Sequence, residues 1–331
     1  MTSDVPLIKV ESLKKYFPLS AGIFRKSESF IHAVDDINFE IFPGESLALV
    51  GESGSGKTTT GKLLVRLIDP TDGHMYMTTD GGAGVDITEL RGVELKCFRR
   101  NVQMIFQDPY ESLNPRRTVF DTISEPLAVQ GLGDITERET RVAELLTLVG
   151  LAPPDTFMFR FPHELSGGQR QRVAIARALV VTPSFVVADE PTSMLDVSIR
   201  TGIMHLMQEL ADDLGVTYLY ITHDFSVARY MSNRLAVMYL GKIVEIGETE
   251  EILHHPQHPY TKALLSAVPV PDPTITRPEP DIEGSIAKPI DPAPICRFYD
   301  RCPLREDICK GNDHPPLEDK GNGHYTACYL V

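Results

Sequence analysis

A short apolar run, Leu47-Ala48-Leu49-Val50, leads directly into Gly51-Glu52-Ser53-Gly54-Ser55-Gly56-Lys57-Thr58, and a segment from Thr59 to Leu67 with helix-like apolar spacing follows. No other stretch restricts the fold so strongly. Glycines at these positions let the backbone turn tightly, so that successive N–H groups converge on one point. The helix after the turn aims its N-terminal partial positive charge at the same point. Strand, glycine-rich turn and helix in this order form a phosphate-binding loop. In such a loop Lys57 reaches the β- and γ-phosphates and the Thr58 hydroxyl takes a position on Mg²⁺. The backbone from Gly51 through Thr59 supplies the remaining cradle, and a nucleoside triphosphate is the expected ligand.

The 331 residues can form one large domain with an appendage, or two modest domains. A net charge of −14 argues against undirected binding to nucleic acid, which needs concentrated Lys and Arg. No run approaches the roughly 20 apolar residues of a membrane-spanning helix. Met1 to Asp4 carry no basic-then-apolar signal pattern. The chain is therefore expected in the cytoplasm, with any membrane association peripheral.

Residues 7–50 are strand-rich, with Leu7-Ile8-Lys9-Val10 and Ile37-Asn38-Phe39-Glu40-Ile41 alternating as half-buried strands do. Asp72-Gly73 and Asp80-Gly81-Gly82 are candidate hairpin tips. Val102 to Phe106 form an apolar strand that runs into Gln107-Asp108-Pro109. Thr136 and Glu139 suggest a capping box for a helix whose apolar face is Val142, Leu145, Leu146 and Val149, ended by Gly150. Ser166 opens an Arg- and Ala-rich helix through Leu179. Phe185-Val186-Val187-Ala188 is continuously apolar, as expected of a strand buried on both faces of a parallel sheet. A helix around Ile203 to Leu214 and a strand Tyr218 to Ile221 follow. Such alternation predicts a mostly parallel α/β sheet, whose ligands bind beyond the C-terminal strand ends. Gly51, Gln107, Asp189 and His223 all fall there and can share one site.

Asp189 is placed to hold Mg²⁺ opposite Thr58, and Glu190 to polarise an attacking water as general base. His223 is a candidate contact for the γ-phosphate and that water. Tyr16, in a basic neighbourhood, offers a ring face to a nucleobase. Beyond Val268 the chain turns proline-rich through residue 294, which suits an extended linker. Cys296, Cys302, Cys309 and Cys328 then cluster, whereas Cys97 stands alone and reads as a packing residue. In a reducing compartment four such thiols suggest a metal site, either tetrahedral Zn²⁺ or a 4Fe–4S cluster. Intervals of five, six and eighteen residues between them do not choose between the two.

Leu165-Ser166-Gly167-Gly168-Gln169 resembles the LSGGQ signature of the ATP-binding cassette family. The resemblance spans about residues 7–255. It implies a P-loop NTPase α/β fold, with a RecA-like mostly parallel core, an antiparallel β subdomain and a helical subdomain near residues 108–180. The cassette would span residues 1–268, the linker 269–295 and a small Cys-rich extension 296–331. In that family Tyr16 matches the base-stacking aromatic and Gln107 the Q-loop residue that contacts Mg²⁺. Asp196, in Ser193-Met194-Leu195-Asp196, matches the D-loop, with Met194 where alanine is more common. His223 matches the switch histidine. Ser166, Gly167, Gly168 and Gln169 would face ATP held by a partner subunit, so that catalysis requires a dimer.

Gln107-Asp108-Pro109, Ser112-Leu113-Asn114-Pro115-Arg116 and His258-Pro259-Tyr260-Thr261-Lys262-Ala263-Leu264-Leu265 resemble the dipeptide/oligopeptide importer branch. Membership implies ATP and Mg²⁺ as ligands and ATP hydrolysis as the activity. It also implies a homologous ATPase partner, two membrane permeases and an external binding protein. Iron–sulfur tails in that branch favour the cluster over zinc. The alternative function is a non-transport cassette ATPase such as a component of phosphonate carbon–phosphorus lyase.

Overall fold

The computed structural model describes residues 5–19, 29–78, 82, 84–268, 282 and 288–331. Two long strands, β1 (Ile8–Leu19) and β2 (Ser29–Ile41), precede β3 (Ser46–Val50), helix α1 (Lys57–Leu64), β4 (Asp72–Met77) and β5 (Val85–Asp86). Helix α2 (Gly92–Asn101) and strand β6 (Val102–Ile105) lead into five helices. These are α3 (Pro109–Ser112), α4 (Val119–Gln130), α5 (Ile135–Leu148), α6 (Pro154–Met158) and α7 (Gly167–Leu179). The chain returns through β7 (Phe185–Asp189), α8 (Val197–Leu214), β8 (Thr217–Thr222), α9 (Phe225–Met231), β9 (Arg234–Tyr239) and β10 (Lys242–Glu248). Helices α10 (Thr249–His254) and α11 (Pro259–Ser266) follow, and the last segment adds α12 (Asp307–Gly311), β11 (Glu318–Asp319) and β12 (Tyr325–Thr326).

The strands form two sheets. An antiparallel sheet has the order β2-β1-β4-β5, and a larger one the order β11-β12-β10-β9-β3-β8-β7-β6. Within the larger sheet β9, β3, β8, β7 and β6 are parallel. Side chains alternate across it as the pleat requires. Leu47, Leu49, Phe185, Val187, Leu219 and Ile221 join one apolar cluster, with residues of β1, β2 and α1. Ala48, Val50, Val186, Ala188, Tyr218 and Tyr220 join the other, with residues of α4, α5, α7 and α8. Both faces are covered, which is why these strands read as unbroken apolar runs. Parallel pairing also brings the C-terminal ends of β3, β6, β7 and β8 to one edge. The P-loop NTPase α/β architecture expected from the sequence is the one observed.

Two local expectations are corrected. The helix cap is Asp134 with Glu137, not Thr136 with Glu139. Asp134 Oδ1 accepts from the backbone of Thr136 and Glu137, and Glu137 Oε2 accepts from the Asp134 backbone. Two capping-box patterns lie two residues apart here, and the chain uses the one next to the Gly131–Gly133 turn. Asp72-Gly73 is not a hairpin tip but the start of β4, paired to β1 through Lys14 at a register shift. A Cβ on Gly73 would lie 2.2 Å from the Ser12 carbonyl oxygen, so close approach explains the glycine. Of the other expected tip, Asp80 and Gly81 lie outside the described residues.

The last segment packs against the cassette. Ala327 N–H donates to the Val244 carbonyl, and β12 pairs with β10 beside Glu245. Glu245 is fully buried and accepts from Gln257 N–H and His258 N–H at 2.7 and 3.2 Å, and its Oε1 lies 2.7 Å from His324 Nε2. Phe298 sits among Tyr239, Tyr260 and His258. Removing the Glu245 carboxylate strands His324 and two backbone donors in a dry interior. Glu245→Ala should therefore lower unfolding free energy by about 3 kcal/mol. Urea unfolding measures it, and an unchanged midpoint would show that this anchor carries no weight.

Candidate active site

The turn after β3 closes under tight constraint. Gly51 has φ 153° and Gly56 has φ 110°. A Cβ on either would stand 2.1 Å from a carbonyl oxygen, that of Met238 for Gly51 and that of Ala33 for Gly56. The loop is thus pressed between strands of the two sheets, and only glycine fits there. Lys57 begins α1 and folds back over its own loop. Its Nζ donates to the carbonyls of Gly51 and Glu52 at 2.7 and 2.9 Å, with Ser55 Oγ at 3.4 Å. Burial pulls its pKa below the usual lysine value against the attraction of Glu190, Asp189 and Glu52. Thr59 follows in the first turn of α1, and Ser53 and Gly54 form the outer bend.

Opposite this loop, the end of β7 supplies two carboxylates. The Thr58 hydroxyl donates to Asp189 Oδ1 at 3.1 Å. Burial pushes the Asp189 carboxyl above its usual range, although the Thr58 hydrogen bond opposes the change. Glu190 adopts a left-handed backbone with φ 45°, a conformation that costs a non-glycine residue about 1–2 kcal/mol. It is fixed there by its N–H bond to the Ile221 carbonyl at 2.8 Å. Its carboxylate is gripped from two sides. Gln107 Nε2 donates to Oε2 at 2.9 Å, and His223 Nδ1 lies 2.9 Å from Oε1. Strand ends of β6, β7 and β8 therefore meet on one carboxylate. Thr58, Gln107 and Asp189 line one open groove of about 730 Å³, which runs on to Glu111, Glu125 and Arg177 between the sheet and the helices.

Tyr16 stacks on His32, with ring centroids 3.8 Å apart and planes inclined by 21°. One ring face is thus occupied, which leaves only the other for a base. Its hydroxyl donates to Asp35 Oδ1 at 2.5 Å. Burial pushes the Asp35 carboxyl up, but the Tyr16 hydrogen bond and the charges of Lys242, Arg297 and His32 hold it below the usual range.

Ser166 caps α7, its Oγ accepting from Gln169 N–H at 3.3 Å while Gln169 Oε1 accepts from Ser166 N–H at 3.0 Å. Gly167 faces Leu195 and Tyr110, and Gly168 faces Ile199. Among the described residues no hydrogen bond joins this signature to the loop Gly51–Thr58. Asp196 stands at the N-terminus of α8 without a side-chain capping bond.

Cys296, Cys302, Cys309 and Cys328 line one narrow pocket with His258, Phe298 and Tyr329. All four are free thiols; Cys97, expected to be a packing residue, is instead exposed, because α2 turns the neighbouring Phe98 inward in its place. Burial pushes Cys296 up to about 12 and also raises Cys302 and Cys328. Among the described residues no group of three or more His, Cys, Asp or Glu is arranged to hold a single metal ion.

Sequence reasoning misses several residues that brace this site. Tyr260 OH accepts from Glu52 N–H at 3.0 Å, Arg301 forms a two-pronged ion pair with Glu52, and Arg297 pairs with Asp35. Tyr260 lies inside the conspicuous His258–Leu265 stretch, the single local signal among them. Arg297 and Arg301 carry no signal beyond their place beside cysteines.

The family model described as ABC transporter matches residues 34–193. A second, described as Oligopeptide/dipeptide transporter, C-terminal region, matches residues 244–309. The chain is 44% identical over 324 residues to the probable peptide ABC transporter ATP-binding protein y4tS of Sinorhizobium fredii, covering 98% of this chain and 90% of that one. It is 43% identical over 327 residues to the oligopeptide transport ATP-binding protein AppF of Bacillus subtilis, covering 98% and 97%. The dimeric structure of MJ0796, a bacterial ABC transporter cassette, is similar with a TM-score of 0.63 at 32% identity, covering 73% of this chain and 98% of that one. No helix among the described residues is long and apolar enough to cross a membrane. The chain belongs to the ABC transporter ATP-binding family, in the branch marked by the oligopeptide/dipeptide transporter C-terminal region.

Proposed function

We propose that this chain is the ATP-hydrolysing subunit of an importer for dipeptides, oligopeptides or related solutes, seated on the cytoplasmic face of the cell membrane. The observation that carries the reading is the Glu190 carboxylate, held between Gln107 and His223 above the Thr58–Asp189 pair. The family hydrolyses ATP, and these residues supply the parts of that reaction. The loop Gly51–Thr59 receives the phosphates, and Lys57 exchanges the carbonyls of Gly51 and Glu52 for the β- and γ-phosphate oxygens. Mg²⁺, when bound, neutralises charge on those phosphates; Thr58, Gln107 and Asp189 are the residues that would hold it. Glu190 takes a proton from water as the water oxygen bonds to the γ-phosphorus. The bond to the β-phosphate oxygen breaks, and ADP leaves with that electron pair. His223 holds Glu190 in line and reaches the γ-phosphate. Tyr16 stacks on the base.

The signature Ser166, Gly167, Gly168 and Gln169, together with Asp196, serves the nucleotide of a partner. A helix N-terminus facing a γ-phosphate uses the same logic as the loop itself. We assign that partner as a homologous ATPase in a heterodimer, working with two permeases and an external binding protein. The permease contact falls at the groove beside Gln107 and at the following loop that carries Arg116. The second family match, over residues 244–309, supports transport over a carbon–phosphorus lyase role.

For the four cysteines we propose a 4Fe–4S cluster, with Zn²⁺ as the alternative. Buried thiols whose pKa is raised hold their protons, and a bound cation is what displaces them. One Zn²⁺ at Zn–S of about 2.3 Å needs sulfurs about 4 Å apart. The four cysteines line one common pocket, and this shared lining is what supports a single group held by all four.

Glu190→Gln should retain ATP binding while turnover falls by roughly 10² or more. ATP titration and steady-state hydrolysis read the two effects, and near-normal turnover would remove Glu190 from the role. Chain purified without oxygen should be brown, with iron and sulfide at about four each per chain. Colourless protein with one zinc per chain would decide for the alternative.

A further inference from the structure

Two arginines of the Cys-rich segment reach back into the nucleotide site. Arg301 is nearly buried, and its Nη1 and Nη2 donate to Glu52 Oε2 and Oε1 at 2.7 and 3.1 Å. That is the bidentate fork that fixes a carboxylate in orientation as well as position. The guanidinium also lies over the Tyr239 ring, 5.7 Å from its centroid. Glu52 is the second residue of the phosphate loop. Its N–H is taken by Tyr260 OH, its carbonyl by Lys57 Nζ and its carboxylate by Arg301. Every polar group of Glu52 is therefore tied, and among the described residues its one ion pair comes from the segment beyond the linker.

Arg297 acts at the other end of the site. Its Nη2 donates to Asp35 Oδ2, while the other oxygen of Asp35 accepts from the Tyr16 hydroxyl. Nearby, His32 N–H donates to the Pro289 carbonyl and Asp291 N–H to the Phe30 carbonyl, each at 2.9 Å. His32 is the ring on which Tyr16 stacks. The segment thus holds both the aromatic expected at the base and the loop expected at the phosphates. Arg297 follows Cys296 directly, and Arg301 directly precedes Cys302. The packing of the cysteine core consequently sets where both guanidinium groups stand.

We propose that Arg301 and Arg297 are positioning residues for ATP, through which the Cys-rich segment clasps the phosphate loop and Tyr16 and raises nucleotide affinity. The inference rests on the ATP site and not on which metal or cluster the cysteines carry. It predicts an effect on affinity separate from the chemical step, because among the described residues no hydrogen bond or ion pair joins either arginine to Glu190.

The test uses full-length protein and equilibrium titration with ATP, with iron content and thermal midpoint recorded for every variant. Arg301→Ala and Arg297→Ala should each raise the ATP Kd about tenfold, as the loss of a buried charge-assisted pair implies. Turnover at saturating ATP, measured with the partner ATPase, should stay within about twofold. Arg301→Lys should recover only part of the affinity, since an ammonium cannot reproduce the fork. Glu52→Gln approaches the same pair from the loop side, away from the cysteines. It should weaken ATP binding equally, and the Glu52→Gln/Arg301→Ala double variant should be no weaker than either single one. An unchanged Kd in the single variants, or additive losses in the double variant, would overturn the proposal. A chain without iron that still shows the arginine effect retains the clasp and removes the cluster.

Discussion

No side chain can stand at Gly51 or Gly56, because the carbonyl oxygens of Met238 and Ala33 lie where a Cβ would go. Met238 belongs to β9 of the large sheet and Ala33 to β2 of the antiparallel one. The phosphate loop is thereby wedged between the two sheets and cannot relax away from its bend. A cradle held this way presents its N–H groups with little rearrangement left to make when a ligand arrives. The antiparallel sheet, which looks peripheral to the chemistry, sets one wall of the loop that performs it.

Electrostatics of the site follow from that closure. Lys57 and Asp189 are both largely out of water, and burial biases each toward its uncharged form. In the proposed roles, a nucleotide with its cation would reverse both biases, offering Lys57 an anion and Asp189 a cation. Glu190 is treated differently. Its strained backbone lifts the carboxylate off the end of β7 to where Gln107 and His223 both reach it. Strain of this kind persists only where neighbours enforce it, and here the Ile221 carbonyl does so.

Contiguous patterns were legible in the sequence. The loop Gly51–Thr58, the Asp189-Glu190 pair after an apolar strand and Ser166–Gln169 at a helix start all carry their meaning within a few residues. Parallel topology also follows from those apolar runs, and it predicts that Gly51, Gln107, Asp189 and His223 share one site. What failed locally failed through ambiguity, as with two overlapping capping boxes near Asp134 and Thr136. Asp72-Gly73 misled because a glycine demanded by the Ser12 carbonyl looks the same as one demanded by a turn. The long-range ties were illegible for another reason. Arg297 and Asp35 are 262 residues apart, and no local pattern announces an ion pair made only once the last segment has packed.

The loop and the signature are both present in this chain, yet no hydrogen bond joins them among the described residues. Ser166 and Gln169 are occupied with capping α7. We infer that the pocket is half of a site, completed by the signature of a second cassette. Specific ATPase activity measured against the concentration of added partner cassette tests it most directly. Activity should be near zero for the dilute chain alone and rise with partner concentration to a plateau. Full specific activity in the dilute single chain, unchanged as partner is added, would contradict it.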